Sequence, residues 1–302
     1  MISSGPNMTS WGLRKLASFA RPATNALAKG TKVKKTPLFL VPYLYVKVSR
    51  VIKSFSYITL AAYGLTLKAR AEWNSDDTLK EADSLYEDCK YKEAYDLLKQ
   101  FKDNDESEVL WRLGRLCYEL ARPLKLDSEK KPLHLEGYNY VNKALELDEK
   151  NFAAHKWMFI LLDLKAYYEG TKARIEKAYQ TKKHIQRACE LNPGDGTSWH
   201  LLGFWCYAVS DMPWYQRKIA SALFATPPSS TFEEALSYFL EAEKAQPNFY
   251  STNLLMLGKT YLKLGDKQKA MDFLERSRDY AVKTYEDATT REEAIKLLGG
   301  LK

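Results

Sequence analysis

The 302-residue chain predicts an all-α fold, a right-handed solenoid of about five helical hairpins ended by a C-terminal capping helix. Three observations carry that reading. Large residues recur at i, i+3 and i+7 with a glycine beside them, which puts a bulky stripe and a notch on one helix face. The pattern returns at several places along the chain, as stacked repeats require. The alternating Val, Ile and Thr of strands is absent after residue 71.

The fifth hairpin is the most regular. Leu254, Leu257 and Tyr261 share a face of its first helix, and Gly258 leaves room beside them. Ala270 keeps the second helix small where the two cross, Leu274 fills the gap, and Gly265-Asp266 breaks the chain between the helices. This is the residue order of a tetratricopeptide helix pair, so the solenoid is predicted to be tetratricopeptide-like.

Aligned on that hairpin, the leading bulky positions are Leu79, Leu110, Trp157, Trp199 and Leu254. Leu110, Leu113, Gly114 and Cys117 repeat the first-helix spacing, as do Trp199, Leu202, Gly203 and Cys206. Ala144, Ala188 and Ala242 mark second helices, each five residues before an exit at Glu149, Pro193 or Pro247. A proline there cannot continue a helix, so it fixes where the next hairpin begins. The leading residues lie 31, 47, 42 and 55 apart, against a regular spacing of about 34. The excess is expected in longer helices or connections, chiefly at 122–132, 165–171 and 209–231. Ala288, Ala294, Ile295 and Leu298 give the last stretch an apolar face suited to a terminal cap.

Charge divides the chain once. Residues 1–71 hold twelve basic residues, Arg14, Lys15, Arg21, Lys29, Lys32, Lys34, Lys35, Lys47, Arg50, Lys53, Lys68 and Arg70, and no acidic one. From Glu72 onward 38 acidic residues face 34 basic ones, so the overall +8 belongs to the beginning of the chain. The expected domains are a basic segment 1–74, acting in targeting, anchoring or as a disordered arm, and a repeat domain 75–302 with an insertion at 209–231. WGLRKLASFARPATNALAK resembles a mitochondrial transit peptide and equally a polybasic arm for an anionic surface. The apolar stretch 37–67 is interrupted by Lys47, Arg50 and Lys53. Only 14 charge-free residues remain, where a spanning helix needs about 20.

Sites for chemistry are not evident. Cys89, Cys117, Cys189 and Cys206 form no CxxC pair and read as small core residues, and four scattered histidines have no metal-ligand spacing. No phosphate loop or nucleophile elbow is present, so neither enzyme activity nor a cofactor is expected. Nucleic acid is not an expected partner. Lys172, Arg174, Lys177, Lys182 and Lys183 form a basic stripe, which Glu176 interrupts, so that it reads as a solvated face ahead of an anion-binding one.

Residues 211–231, DMPWYQRKIASALFATPPSST, are demanded by neither repeat packing nor solubility. Trp214 and Tyr215 precede Arg217 and Lys218, and Trp214, Lys218 and Ser221 or Ala222 share a helix face. The first expectation is an inserted helix that plugs a gap in the solenoid; the second is a wall of its concave binding surface. The candidate partner-binding residues are Trp199, Trp205, Trp214, Tyr215, Arg217 and Lys218.

The strings WRLGRLCYELA, FAAHKWMFILL, ELNPGDGTSWHLLGFWCY, DMPWYQRKIASALFATPPSSTFEEAL and NFYSTNLLMLGKTYLKL resemble the regulator of microtubule dynamics family over roughly Leu79 to Leu274. The MPWYQR and FATPPSS strings make the resemblance specific, since generic repeats lack them. It implies a non-enzymatic microtubule-associated protein of the cytoplasm, cytoskeleton, spindle and spindle poles, with tubulin as partner. Similar family members are membrane-anchored and bind lipid in the repeat domain. The alternative is therefore a mitochondrial or membrane-contact lipid-binding or tethering protein, in which Trp199, Phe204, Trp205, Trp214 and Phe224 line an apolar cavity and a phospholipid or membrane surface is the partner. The Lys, Arg and Asn pattern of a carboxylate clamp, as in a peptide-binding co-chaperone, is absent.

Overall fold

The computed structural model describes residues 75–301. Among these residues there is no strand, and twelve helices build five hairpins, an inserted helix and a cap. The hairpins are α1 (Ser75–Glu87) with α2 (Tyr91–Lys99), α3 (Ser107–Ala121) with α4 (Asp127–Leu147), and α5 (Phe152–Glu169) with α6 (Thr171–Leu191). The fourth pairs α7 (Gly196–Ser210) with α9 (Phe232–Ala245), and α8 (Trp214–Leu223) is inserted between them. The fifth is α10 (Ser251–Lys263) with α11 (Lys267–Asp279), and α12 (Tyr285–Gly299) packs on both as the cap. The readings made on the basic residues from Arg14 to Arg70, the transit-like stretch and the apolar run 37–67 fall outside the described residues.

One size rule generates the stack. In every second helix a small residue is followed four positions later by a large one: Ala94 and Leu98, Gly137 and Val141, Thr181 and Ile185, Ala235 and Phe239, Ala270 and Leu274. All ten are buried. The small member lets the first helix approach, and the large member fills the space beyond the crossing. Burying each large side chain contributes about 1.5–3 kcal/mol. The approach is closest in the second hairpin. A Cβ on Gly114 would lie 2.3 Å from Val141 Cγ2, and one on Gly137 would lie 3.0 Å from both Cys117 Cβ and the Gly114 carbonyl oxygen. At Gly258 the clash would be with Leu274 Cγ at 2.6 Å, and at Gly203 with the Phe239 ring at 2.8 Å.

Side chains cap the starts of five helices, among them the first helices of hairpins three and four. Asn151, Asp195, Thr231, Asp266 and Thr284 accept hydrogen bonds from the amides of Ala154, Ser198, Glu234, Lys269 and Asp287. Each such cap stabilises its helix by roughly 1 kcal/mol. Across hairpin boundaries α3 touches α5 and α7 touches α10, while no two second helices make a comparable contact. The stack therefore curves with its first helices on the inner side.

Two expectations, on Ile295 and Cys89, need correction. Two of the excess segments are longer helices, one of the two forms expected for them. α4 starts at Asp127 and carries Pro132 within it, and α5 and α6 are separated by Gly170 alone, at φ 107°, a conformation open to glycine and strained for other residues. Ile295 is 50% exposed, and the cap buries Ala294 and Leu298 instead. Cys89 is an exposed turn residue with φ 60°, while Cys117, Cys189 and Cys206 are in the core. Among the described residues no helix is long and apolar enough to cross a membrane.

Candidate functional site

The inserted helix α8 presents the most exposed aromatic surface near the candidate residues. Its polar start, Asp211-Met212-Pro213, ends α7 and sets the turn into α8. Of its ten residues only Ala220 is buried. Trp214 is 76% exposed and meets Tyr215 edge-on, ring centroids 6.3 Å apart. Lys218, Ser221 and Ala222 are exposed as well, so the face expected from their spacing exists. The helix rests on α6. At its end Phe224 meets Tyr179 edge-on at 5.3 Å, and the Tyr179 hydroxyl donates to the Thr226 carbonyl at 2.7 Å.

This placement corrects both expectations for the insertion. A helix that buries one alanine plugs no gap in the core. It also packs on α6, a second helix, and not on the side lined by the first helices.

The candidate residues separate into three kinds. Trp214, Tyr215 and Lys218 are presented to solvent. Arg217 is also exposed, but its Nε donates to the Met212 carbonyl at 2.8 Å and its Nη2 to the Ser210 carbonyl at 3.1 Å. It thereby satisfies acceptors that the end of α7 leaves open, with a cation where the helix dipole favours one. Trp205 is buried, its Nε1 donating to the Ala178 carbonyl at 3.2 Å, with Lys182 Nζ 4.4 Å from the ring centre. Trp199 is half-buried, stacks on Tyr238 and donates to the Pro193 carbonyl. Trp199, Trp205, Trp214 and Phe224 thus have separate neighbours, and Phe204 is exposed. The basic stripe of α6 is largely neutralised: Arg174 forks onto Asp163 at 2.6 and 2.7 Å, and Lys172 and Lys182 pair with Glu176 and Glu234.

Two buried histidine arrangements escape sequence reading. His200 Nδ1 lies 3.0 Å from Asn253 Oδ1, and Asn253 Nδ2 donates to the Phe239 carbonyl. The histidine must therefore donate to the amide oxygen, and burial pushes its pKa down to about 4. His155 Nε2 donates to the Glu149 carbonyl, which leaves its Nδ1 to accept from His184 Nδ1 at 3.0 Å. Burial, and then its neighbour His155, holds His184 neutral with a pKa of about 4. These pairs join residues 53 and 29 positions apart, and no local spacing announces them. Burial likewise raises the thiols of Cys117 and Cys189 to about 12 and that of Cys206 to about 11, so all three stay protonated and poorly nucleophilic. Among the described residues no three His, Cys, Asp or Glu side chains gather as a metal site.

Comparison with known proteins gives the family. The family described as regulator of microtubule dynamics protein 1-3 matches residues 78–302. A regulator of microtubule dynamics protein 1 from Pongo abelii is 47% identical over 251 residues, covering 82% of this chain and 80% of the relative. Another, from Bos taurus, is 43% identical over 302 residues, covering 96% and 93%. Among solved structures, a thermophilic tetratricopeptide protein of Thermus thermophilus superposes with a TM-score of 0.53 at 14% identity, covering 74% of this chain and all of its own. That likeness establishes the tetratricopeptide-like fold.

Proposed function

The chain belongs to the regulator of microtubule dynamics family, and from that premise we propose that it is a non-enzymatic binding protein that contributes to microtubule dynamics and spindle function by associating with tubulin. Its place is then the cytoplasm and cytoskeleton, including the spindle and spindle poles. The observation that carries this reading is the family match through the whole repeat domain. Charge supplies a mechanism. Tubulin presents acidic tails, and twelve positive charges without a counter-charge in residues 1–71 attract them over a range set by salt. The mildly acidic repeat domain contributes recognition, with Trp214, Tyr215 and Lys218 on α8 as the contact surface, since aromatic anchors dominate interfaces.

Co-sedimentation of the full chain with microtubules tests this. Deleting residues 1–71 weakens binding, and raising salt weakens the intact protein in the same manner. Trp214→Ala weakens binding with the melt preserved. Binding indifferent to all three changes would remove both the basic segment and α8 from the mechanism.

A second reading rests on the acid-free, Arg- and Ser-containing start and the apolar stretch that follows it: a mitochondrial or membrane-contact protein that handles or tethers phospholipid. The mass of the mature amino terminus separates the two. Cleavage between residues 30 and 70 favours the mitochondrial role, and an intact terminus on a cytosolic protein favours microtubules.

A further inference from the structure

Repeats of a solenoid touch their neighbours along the sequence. A polar network in this chain reaches much further. Tyr86 of α1 donates to Glu119 Oε1 at 3.2 Å, and Arg122 Nη1, at the end of α3, donates to Glu119 Oε2 at 3.1 Å. The other arm of the same guanidinium, Nη2, donates to Glu286 Oε2 at 3.2 Å, in the first turn of α12 and 164 positions away. Glu286 Oε1 in turn accepts from the Tyr250 hydroxyl and, at 3.3 Å, from Thr252 Oγ1, both at the start of hairpin five. The chain of contacts links hairpins one and two to the cap and hairpin five, passing over hairpins three and four.

Its placement suits a closure. α3 is a first helix, and α12 follows hairpin five where the first helix of a sixth would stand, so their ends meet across the side that the first helices line. The cation sits at a helix carboxyl end and the anion at a helix amino end, each where its helix dipole favours it. The pair is also accessible, with Arg122 31% and Glu286 36% exposed. Partly exposed pairs of this kind are weak and sensitive to salt. We propose that Arg122 and Glu286 form a reversible latch that holds the two ends of the solenoid together across its inner face, opening and closing as the ion pair parts and re-forms.

Hydrogen exchange on the full chain, read by mass spectrometry, tests the latch through a double-substitution cycle. Arg122→Gln and Glu286→Gln are each expected to speed amide exchange at 122–126 and at 282–287 by about two- to fivefold, the range of a weak ion pair. The double variant is expected to exchange no faster than either single one. Salt of about 1 M, which shortens the screening length to roughly 3 Å, should reproduce the acceleration in the wild type and add little in the variants. Unchanged exchange in the single variants would overturn the latch, as would additive effects in the double variant. Equal acceleration along α7 would also overturn it, because the substitutions would then be lowering overall stability instead of parting two ends.

Discussion

Hairpin five and the inserted helix α8 draw on similar residues and meet opposite fates. α10 and α11 bury Leu254, Leu257, Tyr261, Ala270, Leu274 and Ser277. α8 and its end carry Trp214, Tyr215, Ile219, Ala220, Leu223 and Phe224, yet only Ala220 is fully buried. Hydrophobic content does not separate them. In hairpin five Leu274 of α11 fills the space beside Gly258 of α10, and Tyr261 stacks on Phe273, so two backbones close on each other. α8 has no helix partner of matching relief and keeps its large rings outside. Burial in this fold follows complementarity of size between paired helices.

That contrast can be broken at its strong end first. Among the described residues Phe239 is the largest fully buried side chain, and it fills the space beside Gly203. Phe239→Ala should cost about 3–5 kcal/mol, which for a domain of this size lowers the melting temperature by roughly 10 °C. A shift of only a degree or two in a circular-dichroism melt would mean that the size rule does not govern stability.

Gly258→Leu asks the same question by addition. Its Cβ alone would overlap Leu274, so about 3 kcal/mol is expected to be lost. Retention of the wild-type midpoint in urea would show that hairpin five can open to accommodate the side chain.

Acid acts on the core and spares the insertion. His200 and His184 have folded pKa values of about 4, below an unfolded value of about 6.5. The unfolded chain therefore binds protons first as pH falls. The stability these groups contribute is complete above about pH 6.5 and is lost progressively toward pH 4. At pH 5, His200 alone accounts for about 2 kcal/mol. Melts recorded between pH 7 and 5 should show this decline, and His200→Gln should flatten part of it. A midpoint that stays level across that interval would mean that the buried histidines do not titrate as their surroundings require.

The smallest effect belongs to Trp214. With its ring mostly in solvent, Trp214→Ala should change stability by no more than about 0.5 kcal/mol, a bound that thermal melts of the two proteins can check. A loss of several kcal/mol would place α8 within the cooperative core and erase the distinction between the two regions.

The same logic explains what the sequence disclosed. The register was legible wherever both members of a size pair carry an unusual residue, as with Gly258, Ala270 and Leu274. The exits were legible because Pro193 and Pro247 forbid continuation. Thr181 and Ile185 follow the rule in hairpin three, but a threonine does not advertise itself as a small residue at a crossing. Helix α4 runs through Pro132 because the ring falls early in a long helix whose later turns are held by Val141 and Ala144. For the candidate site, sequence spacing put Trp214, Lys218 and Ser221 or Ala222 on one helix face, and all four are exposed on α8. It could not tell Trp205 from Trp214, because the difference lies in the Ala178 carbonyl on a neighbouring helix. Nor could it assign Arg217 to the carbonyls of Ser210 and Met212. The histidine pairs depend on which faces two hairpins turn to each other, and no local window contains that information.

The chain leaves the stack after α7, wanders for residues 211–231, and returns to pair α9 with the very helix it left. Because closing a loop costs free energy only as the logarithm of its length, that excursion can grow or shrink without shifting the register of any hairpin. It is a natural port for engineering. A fluorescent protein or a sensor module spliced near Ser229 would leave both flanking helices in place and would report, from a surface position, on whatever the solenoid encounters.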